Sequence, residues 1–131
     1  MLLISAPLLL SSLATVAPAT HSFSIDDMLA MQRISEPRVS PDGLRVAFTL
    51  RTTDLAANRG RTDVWLAATD GSAVRRLTTS EAGDSSPRWS ADGRSLYFLS
   101  TRSGSAQVFR LTLDAGEAEA VTKLPRDVEA F

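Results

Sequence analysis

Few side chains in this 131-residue chain could build a hydrolytic centre. A serine nucleophile needs a base within hydrogen-bond reach and an acid that orients the base. His21 is the only histidine, and we expect its segment to be mobile, which makes it a poor base. The string nearest to a Gly-x-Ser-x-Gly elbow is GDSSP at 83–87, which lacks the second glycine. The sequence therefore predicts no catalytic residue.

Metal and cofactor chemistry finds equally little support in the residue types. The chain has no cysteine, no glycine-rich phosphate loop and no helical histidine pair. Carboxylates do recur at equivalent turn positions, namely Asp42, Asp70, Asp92 and Asp114. Their recurrence in two repeats favours a structural role over a paired acid and base. We predict no cofactor, and neither cofactor-binding nor metal-binding residues.

Composition and charge indicate a soluble globular protein without a polyanionic partner. Apolar residues make up 44% and charged residues 22% of the chain, which is typical of a folded domain. Fourteen basic residues face fifteen acidic ones, so no net field attracts nucleic acid or an anionic membrane. We therefore expect no nucleic-acid partner.

Residues 1–19 differ from the rest because they are apolar and uncharged. Small residues at Ala17 and Ala19 suit a signal peptidase, and the apolar run is short and interrupted for a membrane span. The usual Lys or Arg ahead of the run is missing. A signal peptide over 1–19 is favoured over a permanent anchor, which predicts a periplasmic or secreted protein with no other membrane association.

An internal repeat organises the remainder of the chain. The string PRVSPDG at 37–43 recurs as PRWSADG at 87–93, and DVWL at 63–66 is echoed by QVFR at 107–110. The two sets have different offsets because the connection 51–62 is longer than its counterpart 101–106. Two units in the same order that differ in one loop indicate a repeat architecture.

Each unit reads as four short strands separated by turn-forming residues. Alternation of apolar and polar residues and the β-branched and aromatic positions predict the strands. In the first unit they are 38–40, 45–50, 63–68 and 73–78; in the second they are 88–90, 95–100, 107–113 and 119–123. Ahead of them, 24–34 is predicted as a short helix capped by Ser24, with Met28 and Leu29 against the first unit. Trp65 and Trp89 are predicted to fill the core between the units.

Four antiparallel strands in a repeat of about 40 to 50 residues are typical of a propeller blade. One blade cannot bury both of its faces and needs neighbours. The predicted fold is all-β: a β-propeller fragment of about two four-stranded blades with a short N-terminal helix. The predicted organisation is a signal peptide at 1–19, helix and lead-in at 23–36, blade 1 at 37–86, blade 2 at 87–126 and the start of a truncated third blade at 127–131.

The repeat residues resemble two known groups. SPDG at 40–43 and RRLT at 75–78 look like the propeller repeats of TolB-type periplasmic translocation proteins and of the prolyl oligopeptidase family of serine peptidases. The opening, with DDML at 26–29 and RISEPRVSPDG at 33–43, resembles acylaminoacyl-peptidase and dipeptidyl-aminopeptidase members of the latter family. The resemblance covers about 23–131.

The resemblance implies a function for a larger protein. In that peptidase family the propeller caps a C-terminal α/β-hydrolase domain with a Ser-His-Asp triad and admits short peptides. No triad position occurs in this sequence. The chain is interpreted as the N-terminal, substrate-gating propeller fragment of an exported serine peptidase, with that hydrolase domain and peptides as partners. The alternatives are a TolB-like propeller that binds envelope proteins and a remnant without function.

Overall fold

A computed structural model describes residues 21–114 and 116–131. The predicted signal peptide at 1–19 lies outside the described residues. Within them, no helix has the length and apolar character needed to cross a membrane.

Eight strands form two separate four-stranded antiparallel sheets, each with its strands side by side in chain order. This confirms the predicted all-β fold with two four-stranded units and a short N-terminal helix. The first sheet contains β1 (Arg33–Val39), β2 (Arg45–Asp54), β3 (Arg59–Ala68) and β4 (Val74–Arg76). The second contains β5 (Asp84–Trp89), β6 (Ser95–Ser100), β7 (Gln107–Thr112) and β8 (Ala118–Ala120).

The helix α1 (Ile25–Ala30) is shorter than the sequence predicted. Ser24 caps it and forms a capping box with Asp27. The helix ends at Ala30 because Arg33 and Ile34, predicted as its last residues, pair with Arg51 and Leu50 in β2. Ladder hydrogen bonds from tertiary pairing thus override a local helical pattern.

Only part of the expected packing of this helix is present. The helix contacts β2, and Leu29 is half-buried. Met28 remains 47% exposed, so its predicted place against the first blade is wrong.

The long connection of the first unit is a β-ribbon. β2 and β3 continue to pair through Thr52 with Arg61 and Asp54 with Arg59, where the sequence predicted a loop over 51–62. At the tip, the Asp54 carboxylate accepts a hydrogen bond from the Ala57 N–H at 3.0 Å. The extra residues of the first unit therefore extend a hairpin.

The main hydrophobic core lies between the two sheets. Leu96 and Phe98 in β6 are fully buried, and the rings of Phe98 and Phe109 stack with centroids 6.2 Å apart. The first sheet contributes Ala47, Val64 and Leu66, and the second adds Leu111. Each sheet thereby removes one face of the other from water, the packing expected of neighbouring blades.

The two tryptophans occupy different faces. Trp89 packs against the core between the sheets, as predicted. Trp65 is directly opposite Phe48 on β2. Because side chains alternate along a strand, that pair lies on the face turned away from the second sheet. The predicted core position of Trp65 between the units is therefore wrong.

Phe98→Ala should lower the free energy of unfolding by about 3–5 kcal/mol, because it leaves a cavity where both sheets meet. Urea unfolding followed by tryptophan fluorescence measures the loss. The control is Leu55→Ala at the ribbon tip, where the side chain is 60% exposed, and its effect should stay within about 0.5 kcal/mol. Similar losses for the two variants would show that the sheets do not share a core.

Candidate functional site at the blade junction

The first strands of the two sheets, β1 and β5, lie in contact and carry the same irregularity. A bulge interrupts β1 between Ser35 and Arg38 and β5 between Ser85 and Arg88. At the bulges, Glu36 has φ 54° and Ser86 has φ 56°. Such a left-handed conformation is uncommon for residues other than glycine and persists where surrounding contacts hold it.

The Glu36 carboxylate joins three strands across the junction. Its Oε2 accepts hydrogen bonds from the Ser86 N–H and from the Thr49 hydroxyl, both at 2.9 Å. Its Oε1 accepts a third from the Ser86 hydroxyl at 2.8 Å. Glu36 is in β1, Thr49 in β2 and Ser86 in β5, so one side chain ties the first sheet to the second.

The surroundings of Glu36 favour its charged form. Burial raises the pKa of this carboxyl, but hydrogen bonds from Ser86 and Thr49 and the positive charge of Arg88 together outweigh burial. The pKa therefore lies below its ordinary value of 4.5. Glu36 is a carboxylate at neutral pH and acts here as an acceptor of hydrogen bonds.

A second crossing is centred on Trp89. Its indole Nε1–H donates to the Arg38 carbonyl at 2.8 Å. The Arg45 guanidinium lies 5.1 Å from the ring centre and donates to the Gly93 carbonyl at 3.1 Å. The indole thus has both a hydrogen-bond partner and a cation over its face, each supplied by the first sheet.

A buried ion pair lies inside the second sheet. Asp84 is fully buried and accepts a hydrogen bond from Arg102 Nη2 at 2.9 Å. The guanidinium lies 4.8 Å from the ring centre of Phe109 and also donates to the Ser100 hydroxyl. The other oxygen of Asp84 has no hydrogen-bond partner among the described residues. Arg102 also lines a cleft of about 320 Å³ between 77–80 and 116–118.

The recurring turn carboxylates serve their own turns. In each blade a serine hydroxyl, of Ser40 or Ser90, donates to the carboxylate of Asp42 or Asp92 at 2.5 Å. The same oxygen accepts a backbone N–H two residues on, at 3.0 Å. The serine hydrogen bonds lower the pKa of both carboxyls. These contacts match the structural role that recurrence indicated.

The other candidates from the sequence are scattered. Asp70 accepts a hydrogen bond from the Ser72 N–H at 2.9 Å, and Asp114 is exposed in a turn. His21 is exposed, with its Nε2 3.5 Å from Asp27. Ser86, in the string at 83–87, donates its hydroxyl proton to Glu36 rather than to a histidine.

The described part of the chain offers a mechanical joint and lacks the parts of an acid–base centre. It holds no group of three or more His, Cys, Asp or Glu side chains that could ligate a metal. Sequence reasoning missed Glu36, Ser86, Asp84 and Arg102. The one available signal was the equivalence of positions 36 and 86 in the repeat, a pairing of acceptor with donor.

Comparison with known proteins defines the class of this fold. The chain belongs to the TolB β-propeller domain family, whose profile matches residues 23–127. This confirms the resemblance to propeller repeats found in the sequence.

Named relatives include both a peptidase and a TolB protein. The uncharacterized peptidase YuxL of Bacillus subtilis is 32% identical over 104 residues, which cover 79% of this chain and 16% of YuxL. The apo structure of the AtxE2 isopeptidase matches with a TM-score of 0.65 at 23% identity, covering 79% of this chain and 20% of that one. A putative TolB from Agrobacterium tumefaciens matches with a TM-score of 0.53 at 31% identity, covering 66% and 29%. The chain thus spans less than a third of each.

Glu36→Gln should lower stability by about 1 kcal/mol at pH 7, because it weakens charge-assisted hydrogen bonds at a partly exposed site. A depressed pKa contributes stability that is present above the unfolded pKa and is lost as pH falls through the folded pKa. The difference from wild type should therefore be constant above pH 5 and shrink below pH 4.5, the ordinary value. Urea unfolding at several pH values measures it.

The matched control for this variant is Glu129→Gln, at an exposed position. It should leave both the stability and its pH dependence unchanged. A loss in the Glu36 variant that persists undiminished at pH 3 would contradict the assignment, since a charge-dependent contact vanishes when the carboxyl is protonated.

Proposed function

We propose that this chain is the N-terminal propeller portion of a serine peptidase of the prolyl oligopeptidase family, and that it gates the access of peptides to a hydrolase domain. The observation that carries the proposal is the 32% identity to a peptidase over 104 residues. That match covers a stretch about as long as the family match at 23–127.

The blade junction supports a gating role. A ring of blades admits small molecules through its centre only while neighbouring blades stay joined. Here the first strands of the two blades are fastened by the Glu36 hydrogen bonds and by the Trp89 contacts. Because both fastenings involve the first strand of a blade, they hold that part of the junction closed.

Export is part of the same proposal. The uncharged apolar stretch at 1–19 is a candidate signal peptide, and TolB proteins are among the relatives. We propose a periplasmic or secreted location, where a peptidase would act on extracytoplasmic peptides.

A TolB-like binding propeller is the second candidate. It is favoured by the 31% identity to a putative TolB structure that covers 66% of this chain. Such a protein would recognise partner proteins in the cell envelope without hydrolysing them. The peptidase is preferred because its sequence match covers more of this chain.

The experiment uses the complete product of the gene and a series of fluorogenic peptides of increasing length. We expect hydrolysis of short peptides that a fluorophosphonate blocks, and little hydrolysis of long ones. Trp89→Ala opens the junction and should raise the rate for long peptides severalfold relative to short ones. Leu55→Ala, at the exposed ribbon tip, is the control and should leave the ratio unchanged.

Two results would reject the peptidase. One is the absence of fluorophosphonate-sensitive turnover in a folded complete protein. The other is stable capture of an envelope protein by that non-hydrolysing product, which would establish the TolB-like reading.

A further inference from the structure

Two arginines face each other where the first sheet begins. Arg33 in β1 and Arg51 in β2 are direct partners across the antiparallel pair. Residues so placed have Cβ atoms about 4.5–5.5 Å apart and point to the same face of the sheet. Like charges directly opposite each other destabilise a strand pair, so this arrangement costs stability in the absence of an anion.

Neither arginine has a carboxylate of its own in the described residues 21–114 and 116–131. The neighbouring ribbon arginines differ, because Arg59 and Arg61 both reach Glu81. Thr49, two residues from Arg51 on the same strand face, bonds to Glu36. That carboxylate already accepts hydrogen bonds from Ser86, so it leaves the arginine pair uncompensated.

The Arg51 guanidinium has a defined seat. It lies against the backbone of Gly60 in β3, where a Cβ atom would collide with its Nη2, Cζ and Nε atoms. Gly60 needs no special φ, so the glycine is required here by space alone. A guanidinium seated in this way loses less freedom when it binds a partner.

The pair lies at the edge of the blade junction. Thr62 is the β3 partner of Arg51, and its hydroxyl lies beside Gly83 at the entrance to β5. The arginines therefore share a face with residues that contact the second blade. A ligand bound there would lie next to the first strands of both blades.

We propose that Arg33 and Arg51 form a carboxylate-binding site that holds the free C-terminus of a peptide at the blade junction. Planar guanidinium groups bind carboxylates through paired N–H donors. The peptide as occupant rests on the proposed function; the carboxylate chemistry rests on the arginines alone. The site would favour peptides with a free C-terminus over amidated ones.

The test measures binding of acetyl-trialanine, as free acid and as C-terminal amide, to the 131-residue protein by NMR titration. We expect the acid to shift amide signals in β1 and β2 and to bind about tenfold more tightly than the amide, the equivalent of one charge-assisted contact. Binding of the acid should weaken as salt rises.

Three variants locate the site. Arg51→Gln should abolish the preference for the acid. Gly60→Ala leaves all charges in place but displaces the Arg51 guanidinium, and should reduce the preference severalfold. Arg75→Gln, at an exposed position on β4, is the matched control for charge and should keep it. The unfolding midpoint of Arg51→Gln should not fall, because the substitution relieves a like-charge contact.

Equal binding of acid and amide, or a preference that survives in Arg51→Gln, would overturn the site. Loss of the preference in Arg75→Gln to the same extent would also overturn it, since net charge would then explain the binding. These results are independent of turnover by the complete gene product. Failure here with turnover present removes only this site, and a carboxylate preference without turnover removes only the peptidase.

Discussion

The structure depends on one constraint: a flat four-stranded sheet with apolar side chains on both faces must be covered on each of them. Val64 and Leu66 on the first sheet and Phe98 and Phe109 on the second are buried because the sheets cover each other. Hydrophobic burial is proportional to area and has no preferred direction. It therefore explains why the blades pack, but it does not by itself select one alignment between them.

The polar contacts supply that alignment. Glu36 and Trp89 each require a partner at a fixed place on the opposite blade, and a shift of the blades would leave buried donors and acceptors unpaired. Left-handed backbone at both Glu36 and Ser86 is held in the same place. The strain at the two bulges is tolerated because it brings the carboxylate and its donors together. Apolar packing and polar specificity thus divide the work at the junction.

The sequence predicted the architecture because the turns carry it. Ser, Asp and Gly at matching places in the two units have a local physical reason to form the same turn, so the repeat was visible without coordinates. The start of β1 was not predictable, because Arg33 to Val39 is exposed except for half-buried Glu36 and shows no alternation. The ribbon at 51–62 was missed for the same reason. Both are held by pairing with a neighbouring strand and not by their own hydrophobic pattern.

The candidate site was hidden for a different reason. Glu36 and Ser86 are repeat equivalents, yet they carry complementary chemistry because each faces the other blade from the opposite side. Val39 and Trp89 are also equivalents, and only the tryptophan meets a neighbouring blade. In a repeat protein, equal residues at equal positions therefore report the turns that each unit needs. Unequal residues at equal positions mark where units meet, and the particular chemistry of this chain is concentrated at those positions.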